Sequence, residues 1–451
     1  VIMSDTDLKG TTWRIEKGTQ FIREGTVDPS SVGAGPHTPF AFNHTVELPR
    51  GLNETGTYRF LVADQTAEIC VKENPYHDLL TQPLVHLRLV RSGPETVPPR
   101  SPSHPGDAQD KVWIPDGDPA EGKWKPDPRG RKVDVEGGWY DAGDQLKFTL
   151  NTAYTTTHLL LAWELDPHLF PEPTPGALPD ILIEAGHGLE WLMKTHPTDD
   201  LFVVQVGDSR DHNQPFRLPE DDTLDGDRPA LCALSRVHMH AAAGALARGA
   251  VVFKQVGRMD EARRYGDEAV RIFERAQGPG TRHTAFYRDV TNDFYHDDTL
   301  EDQLALSAIS LHRWTKDSGC SDKAAAVIPC SRPSLLERTS VDTRQETGFD
   351  TLTTGAVTTN QTRSDSLVHS VRPDPLDYLE IAIAAAPPAD TEPSWRTWHW
   401  SANFALASSD PAAAVRLAEQ ANRHADRAAN KGQPWGIPGA YVWAGLHRWT
   451  E

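Results

Sequence analysis

Three observations predict a mainly α protein, a barrel of helical hairpins preceded by a small β-sandwich module. Apolar residues recur at helical spacing from Tyr76 onward, no βαβ alternation interrupts them, and the opening seventy residues alternate as strands do. The expected division is 1–73 for the β module and 74–451 for the helical domain. In the first part, Thr45-Val46-Glu47-Leu48, Tyr58 to Val62 and Ala67 to Val71 read as strands between Pro, Gly and Asn turns. About seventy residues is short for a seven-strand sandwich, so the module is expected to be trimmed or to lean on its neighbour.

Helices follow in order. Leu79, Leu80, Leu84, Leu87 and Val90 form a first stripe, ending before Ser92-Gly93-Pro94. A long aperiodic stretch, Gly93 to Glu136, runs into a double-acid turn and reads as a functional loop. Further helices are expected over 152–165, from Pro179-Asp180 onward, over Cys232 to Lys254, Asp260 to Gln277, Leu300 to Trp314, Leu376 to Ala386 and Pro411 to Ala429, with another starting at Ala440. Proline at a first turn and glycine after a last one mark several of these boundaries. An alanine seam at 414, 418, 421, 425 and 428 suits close helix contact, and Asp410 is placed to cap that helix.

Composition limits the function. The chain has 451 residues and a net charge of -19, which disfavours nucleic acid and anionic membrane surfaces as partners. Mean hydropathy is -0.52, and no apolar run reaches the roughly 18–20 residues that span a bilayer. The start, VIMSDTDLKG, lacks a basic segment followed by an apolar one, so no signal peptide is visible. The four cysteines, Cys70, Cys232, Cys320 and Cys330, are too scattered for a disulfide framework and read as free thiols.

Chemistry concentrates at Gly137-Gly138-Trp139-Tyr140-Asp141-Ala142-Gly143-Asp144. Two carboxylates three residues apart on a glycine-hinged turn repel each other, which raises the proton affinity of one, and together they can grip and polarise a water. The flanking rings of Trp139 and Tyr140 offer flat faces suited to the CH face of a sugar. Alone, such a pair is more often an Asx-type turn or half of a calcium site.

The wider context changes that balance. Val133 to Asp144 followed by Lys147-Phe148 resembles the catalytic-base signature of glycoside hydrolase family 9, the inverting cellulase family. Further ordered segments are similar to that family: Pro75 to Leu80 through Arg91-Ser92-Gly93, Leu178 to Leu182 through Leu189 to Leu192, and Val206-Gly207-Asp208 with Asp211-His212 and Leu218-Pro219-Glu220. The opening β module resembles the immunoglobulin-like domain many members carry. The resemblance implies an (α/α)6 barrel that hydrolyses β-1,4-glucosidic bonds with inversion, with a β-glucan or oligosaccharide as partner and export from the cell. It implies Asp144 as the general base and Asp141 as the residue that holds the water. His212 would hydrogen-bond the sugar, and Phe216 would stack where members often place tryptophan.

The family's proton donor is a Glu in a segment resembling D-Y-x-x-N-E. This chain stops eight residues after Trp443, so about ten of twelve helices are expected and that glutamate finds no counterpart. The alternative expectation is a glycan-binding remnant without turnover. Glu220 could substitute as the acid but reads better as a helix-capping or groove-wall carboxylate, and His399, between Trp398 and Trp400, suits a glycan groove or a core of aromatics equally well. No cofactor is expected. The Asp297-Asp298-Glu301-Asp302 and Asp221-Asp222-Asp225-Asp227 runs resemble calcium ligands, but a helix start and a solvated loop explain them better.

Overall fold

The computed structural model describes residues 2–28, 32–33, 42–44, 46, 52, 54–72, 80–117, 122–282, 295, 300–317, 375–387 and 398–430. The opening module holds two antiparallel sheets. One has β2 (Thr12–Lys17) and β3 (Gln20–Thr26) beside β6 (Gly56–Val62) and β7 (Gln65–Val71), in the order β3-β2-β6-β7. The other joins β1 (Ile2–Ser4), β5 (Phe42–His44) and β4 (Val32–Gly33). Alternate residues of the larger sheet, Trp13, Ile15, Tyr58 and Val62, form a small apolar cluster that Ile2 of the other sheet also joins. Phe42–His44 forms a strand, while Thr45, Glu47 and Leu48 of the strand expected at Thr45 to Leu48 lie outside the described residues. The 73/74 boundary, Tyr76 and the helix expected from Ala440 lie outside the described residues.

Helices make the rest. After α1 (Thr81–Leu89) come α2 (Thr149–Leu165), α3 (Asp180–Lys194), a one-turn α4 (Ser209–His212), α5 (Arg236–Gln255), α6 (Met259–Ala276), α7 (Glu301–Asp317), α8 (Pro375–Ala384), α9 (His399–Leu406) and α10 (Pro411–Asn430). Their contacts fall into two layers. Among the described residues, helices that follow one another pair as α2–α3, α5–α6, α7–α8 and α9–α10, while α2, α5, α7 and α9 touch one another in succession. An inner ring thus alternates with an outer one, which is the (α/α)6 arrangement. Sequence explains who sits where. From Val237 to Phe253 every residue of α5 is buried, as an inner helix requires. By contrast α6 buries one face only, through Ala262, Tyr265, Ala269, Ile272 and Phe273.

Two expectations fail at this level. The helix expected from Cys232 begins at Arg236, because Pro229–Cys232 is strand β13, buried on both faces. In α10 it is Ala413 that is buried, whereas Ala414 and Ala418 face solvent. Asp410 does cap that helix, accepting from the amides of Ala412 (3.0 Å) and Ala413 (3.2 Å).

The stretch expected to be an aperiodic loop contributes to a mixed six-stranded sheet. Its strands β8 (Asp110–Pro115), β9 (Trp124–Pro126) and β10 (Lys132–Val133) join β11 (Lys147–Phe148), β12 (Val203–Val206) and β13. The order is β10-β8-β13-β12-β11, with β9 pairing Trp113–Pro115 of β8, further along than β10, and β13 parallel to β8. Lys147 pairs with Val206, so the strand that leaves the double-acid turn lies against the strand that leads to His212. This register builds the site.

Candidate active site

The turn is fixed from below. Gly137 and Gly138 have φ of 97° and 74°, left-handed values that side chains resist, and a Cβ on Gly138 would lie 2.8 Å from the Trp191 ring. Buried Lys147 donates to the carbonyls of Val135 (2.6 Å) and Gly137 (3.0 Å), with Asp107 at 2.6 Å as its counter-ion. Trp191 donates to Val135 O at 2.9 Å. The carbonyl of Gly138 accepts from Ser92 N and from His187 Nε2, each at 2.8 Å. The Asp141 amide donates to Leu146 O at 2.9 Å and closes the turn.

Both oxygens of Asp141 are engaged. Oδ1 accepts from Asn151 Nδ2 at 2.6 Å and Oδ2 from the Tyr295 hydroxyl at 2.5 Å. Burial lifts its pKa from 3.8 to about 6; the charge of Asp144 adds to the rise, while the two donors oppose it. The mutual repulsion expected from sequence is therefore present but second to desolvation. The same burial, with the Asp141 charge, holds the Tyr295 phenol well above its ordinary range. Asp144 is held differently. Its Oδ2 lies 2.6 Å from Nδ1 of His212, and its Oδ1 is 3.4 Å from the Leu146 amide. Side-chain exposure is 12% for Asp144 and 31% for His212, so solvent reaches this pair. Lone pairs remain on the Asp144 carboxylate to accept a proton from water.

The expected sugar platform is corrected. Trp139 and Tyr140 are 5% and 4% exposed, because their rings fill the space beneath the turn: Trp139 packs on His187, and the Tyr140 hydroxyl meets Ser103 and His104. They form only the inner wall of a cleft of about 260 Å³ that Asp141, Phe148, Tyr154, Tyr295 and Trp398 also line. Phe216 is 80% exposed and stands beside Gly143, outside that lining. Sequence reading singled out Asp141, Asp144 and His212, which the structure gathers at one turn, but missed Asn151 and Tyr295. Asn151 lay ten residues beyond Asp141, in the first turn of α2. Tyr295 lay 154 residues away, with no local pattern to flag it.

Other candidates resolve readily. Glu220 pairs with Arg100 through both carboxylate oxygens, and this bond holds its pKa below the usual carboxylate range. It is thus an anion rather than a proton donor. His399 is buried in the core near Asp302, whose Oδ2 accepts from the Trp398 amide at 2.6 Å; Asp297 and Asp298 lie outside the described residues. The Asp221 to Asp227 run is not simply solvated, since the Asp222 carboxylate is fully buried. Among the described residues no group of three or more His, Cys, Asp or Glu side chains is placed to hold a metal ion. Cys70 and Cys232 are free, and Cys320 and Cys330 lie outside the described residues. Among the described residues no helix is long and apolar enough to cross a membrane.

The family model described as glycosyl hydrolase family 9 matches residues 76–432. Endoglucanase 5 of Oryza sativa subsp. japonica is 30% identical over 190 residues, covering 41% of this chain and 34% of that one. Endoglucanase 14 of Arabidopsis thaliana is 29% identical over 261 residues, covering 54% and 46%. The chain spans about a third to a half of the length of these curated relatives. Among solved structures, the family 9 endoglucanase J30 superposes with a TM-score of 0.61 at 20% identity, over 94% of this chain and 70% of the other. A metagenome-derived endoglucanase of the same family gives 0.64 at 21%, over 97% and 72%. At such identities these two structures speak for the fold alone.

Proposed function

The chain belongs to glycosyl hydrolase family 9, and from that membership we propose that it hydrolyses β-1,4-glucosidic bonds of cellulose-like glucans with inversion. Asp144 acts as general base and takes a proton from the attacking water. His212 orients it from below through the Asp144 Oδ2 contact, and Asp141 holds the water from the second side. The observation that carries this reading is the pairing of His212 with Asp144 at 2.6 Å on a turn where Asp141 already has its own two donors. Each acid thus has a distinct environment, as divided acid–base roles require. Half-buried Asp141 lines the cleft, and the Asp144 carboxylate keeps lone pairs open to solvent. The endoglucanase names of the curated relatives favour a β-glucan as substrate.

Inversion also needs an acid about 6.5–9.5 Å from the base, with the water between them. Glu220 does not supply it, because Arg100 keeps that carboxylate ionised. The test is reducing-sugar release from soluble β-1,4-glucan and cello-oligosaccharides, with Asp144→Asn as control. Loss of the base is expected to lower turnover by about 10²–10⁴-fold with oligosaccharide binding retained. Equal, background-level release by both proteins, with binding intact, would instead favour a glycan-binding module.

A further inference from the structure

The two shoulders of the double-acid turn are joined by a buried chain of polar side chains drawn from distant parts of the sequence. One shoulder is Tyr140, directly before Asp141. Its hydroxyl contacts Nδ1 of His104, and Nε2 of His104 lies 2.8 Å from Oδ2 of Asp222, both side chains being fully buried. Oδ1 of Asp222 accepts from Arg217 Nε at 2.7 Å. Arg217 Nη2 donates to Asp211 Oδ1 at 3.0 Å, and the same oxygen accepts from the amide of Gln145 at 3.0 Å. Gln145 is the other shoulder, directly after Asp144. Asp211 in turn precedes His212, which holds Asp144.

One assignment of protons satisfies every link. Burial lowers the His104 pKa against the pull of Asp222, so the ring is neutral. Its Nε2–H then donates to the Asp222 carboxylate, and Nδ1 accepts from the Tyr140 hydroxyl, whose oxygen accepts from Ser103 at 2.8 Å. Arg217 donates to both aspartates, which need no proton of their own. His104 holds this place in a left-handed backbone (φ 49°), a conformation that non-glycine residues seldom adopt. A buried polar network of this kind favours one geometry, since a slip strands a charge or a donor; the second oxygen of Asp211, Oδ2, has no hydrogen-bond partner and faces Arg228 Nη1 at 3.9 Å.

We propose that the chain Tyr140–His104–Asp222–Arg217–Asp211–Gln145 is a clamp that sets the position of the Asp141 and Asp144 carboxylates relative to each other, with Asp222 as its central positioning residue. The proposal rests on the reading of Asp141 and Asp144 as the working acids. It assigns a task to an acidic run whose sequence suggests only a solvated loop.

The test is a double-mutant cycle with Tyr140→Phe and Asp222→Asn, read two ways. In turnover of a β-1,4-glucan, each single variant is expected to lose kcat by roughly tenfold with KM within about twofold, and the double variant to fall no lower than the worse single one. A chain cut twice is no more broken than a chain cut once. Multiplying losses, or losses that track only the melting temperature, would overturn the clamp. The second reading needs no activity: amide hydrogen exchange at Gln145, the far end from Tyr140. Tyr140→Phe removes one hydroxyl and preserves packing, and it should speed exchange at Gln145 by about tenfold or more while leaving Leu189 in α3 unchanged. Unaltered protection at Gln145 would overturn the proposal. Absence of wild-type turnover would count against the catalytic reading alone, and the exchange result would still decide the clamp.

Discussion

Asp141 is where chemistry and stability pull in opposite directions. Its folded pKa of about 6 lies above the ordinary 3.8, so its ionisation is disfavoured in the folded chain. The stability it contributes is whole below pH 3.8 and is lost as the pH rises through 6, a loss of about 3 kcal/mol by linkage. Asp141→Asn should therefore stabilise the protein at pH 7 by about 1–3 kcal/mol, with the gain fading below pH 4 while turnover collapses. Denaturant unfolding at several pH values measures this, and a gain independent of pH would contradict the cause given. Tyr295 donates to the charged form and holds that pKa down. Tyr295→Phe should move the acidic limb of kcat/KM upward by about 1–2 pH units, the worth of one charge-assisted bond. A limb that stays put or falls would count against it. The two acids were legible because a short motif carries them, and His212 because a separate segment, Val206 to His212, resembles the family's groove. Which way Trp139 and Tyr140 face was not, since a ring beside a turn packs inward or outward according to neighbours such as Ser103 and His187, far away in sequence.

At the scale of elements, the short strands decide the site and were the hardest to foresee. Helices α3 and α6 announce themselves through apolar residues at three and four spacing, so the start of α3 and both limits of α6 were read to within a residue. Strand β11 has two residues, and β8 finds its parallel partner β13 across more than a hundred positions. Neither leaves a periodic trace. Strand β11 is anchored by Lys147, fully buried against Asp107 with Arg228 at 3.5 Å. Burial holds the Lys147 pKa below its ordinary value, while the Asp107 charge resists the fall. Lys147→Met strips the Gly137 carbonyl of its side-chain donor, leaves Val135 O to Trp191, and removes the cation 2.6 Å from Asp107. It should cost about 3–5 kcal/mol, read by denaturant unfolding. A loss below 1 kcal/mol would show that the buried pair is not what fixes the turn.

For the whole molecule, the alternation of inner and outer helices explains why so much of the fold could be read and where reading stopped. An inner helix such as α5 is rich in small and apolar residues on every face, broken only by residues such as His238, His240 and Arg248, and an outer one such as α6 is striped; both signals are local. The meeting of layers is not local. Gly266 of α6 lies so close to Trp314 of α7 that an added Cβ would sit 2.2 Å from the indole. Trp314 is itself buried, so Gly266→Ala should cost about 1–3 kcal/mol by overpacking while leaving kcat per folded molecule unchanged, as thermal unfolding and active-site titration would report. The mixed sheet set among these helices presents the double-acid turn beside the cleft. Everything proposed about function depends on that presentation. Proton NMR of the first anomer released from a cello-oligosaccharide, for the native chain and for Asp144→Asn, tests it most directly. The account expects the α-anomer first, at a rate at least about a hundredfold higher in the native chain. A β-anomer first, or equal rates in the two proteins, would contradict it.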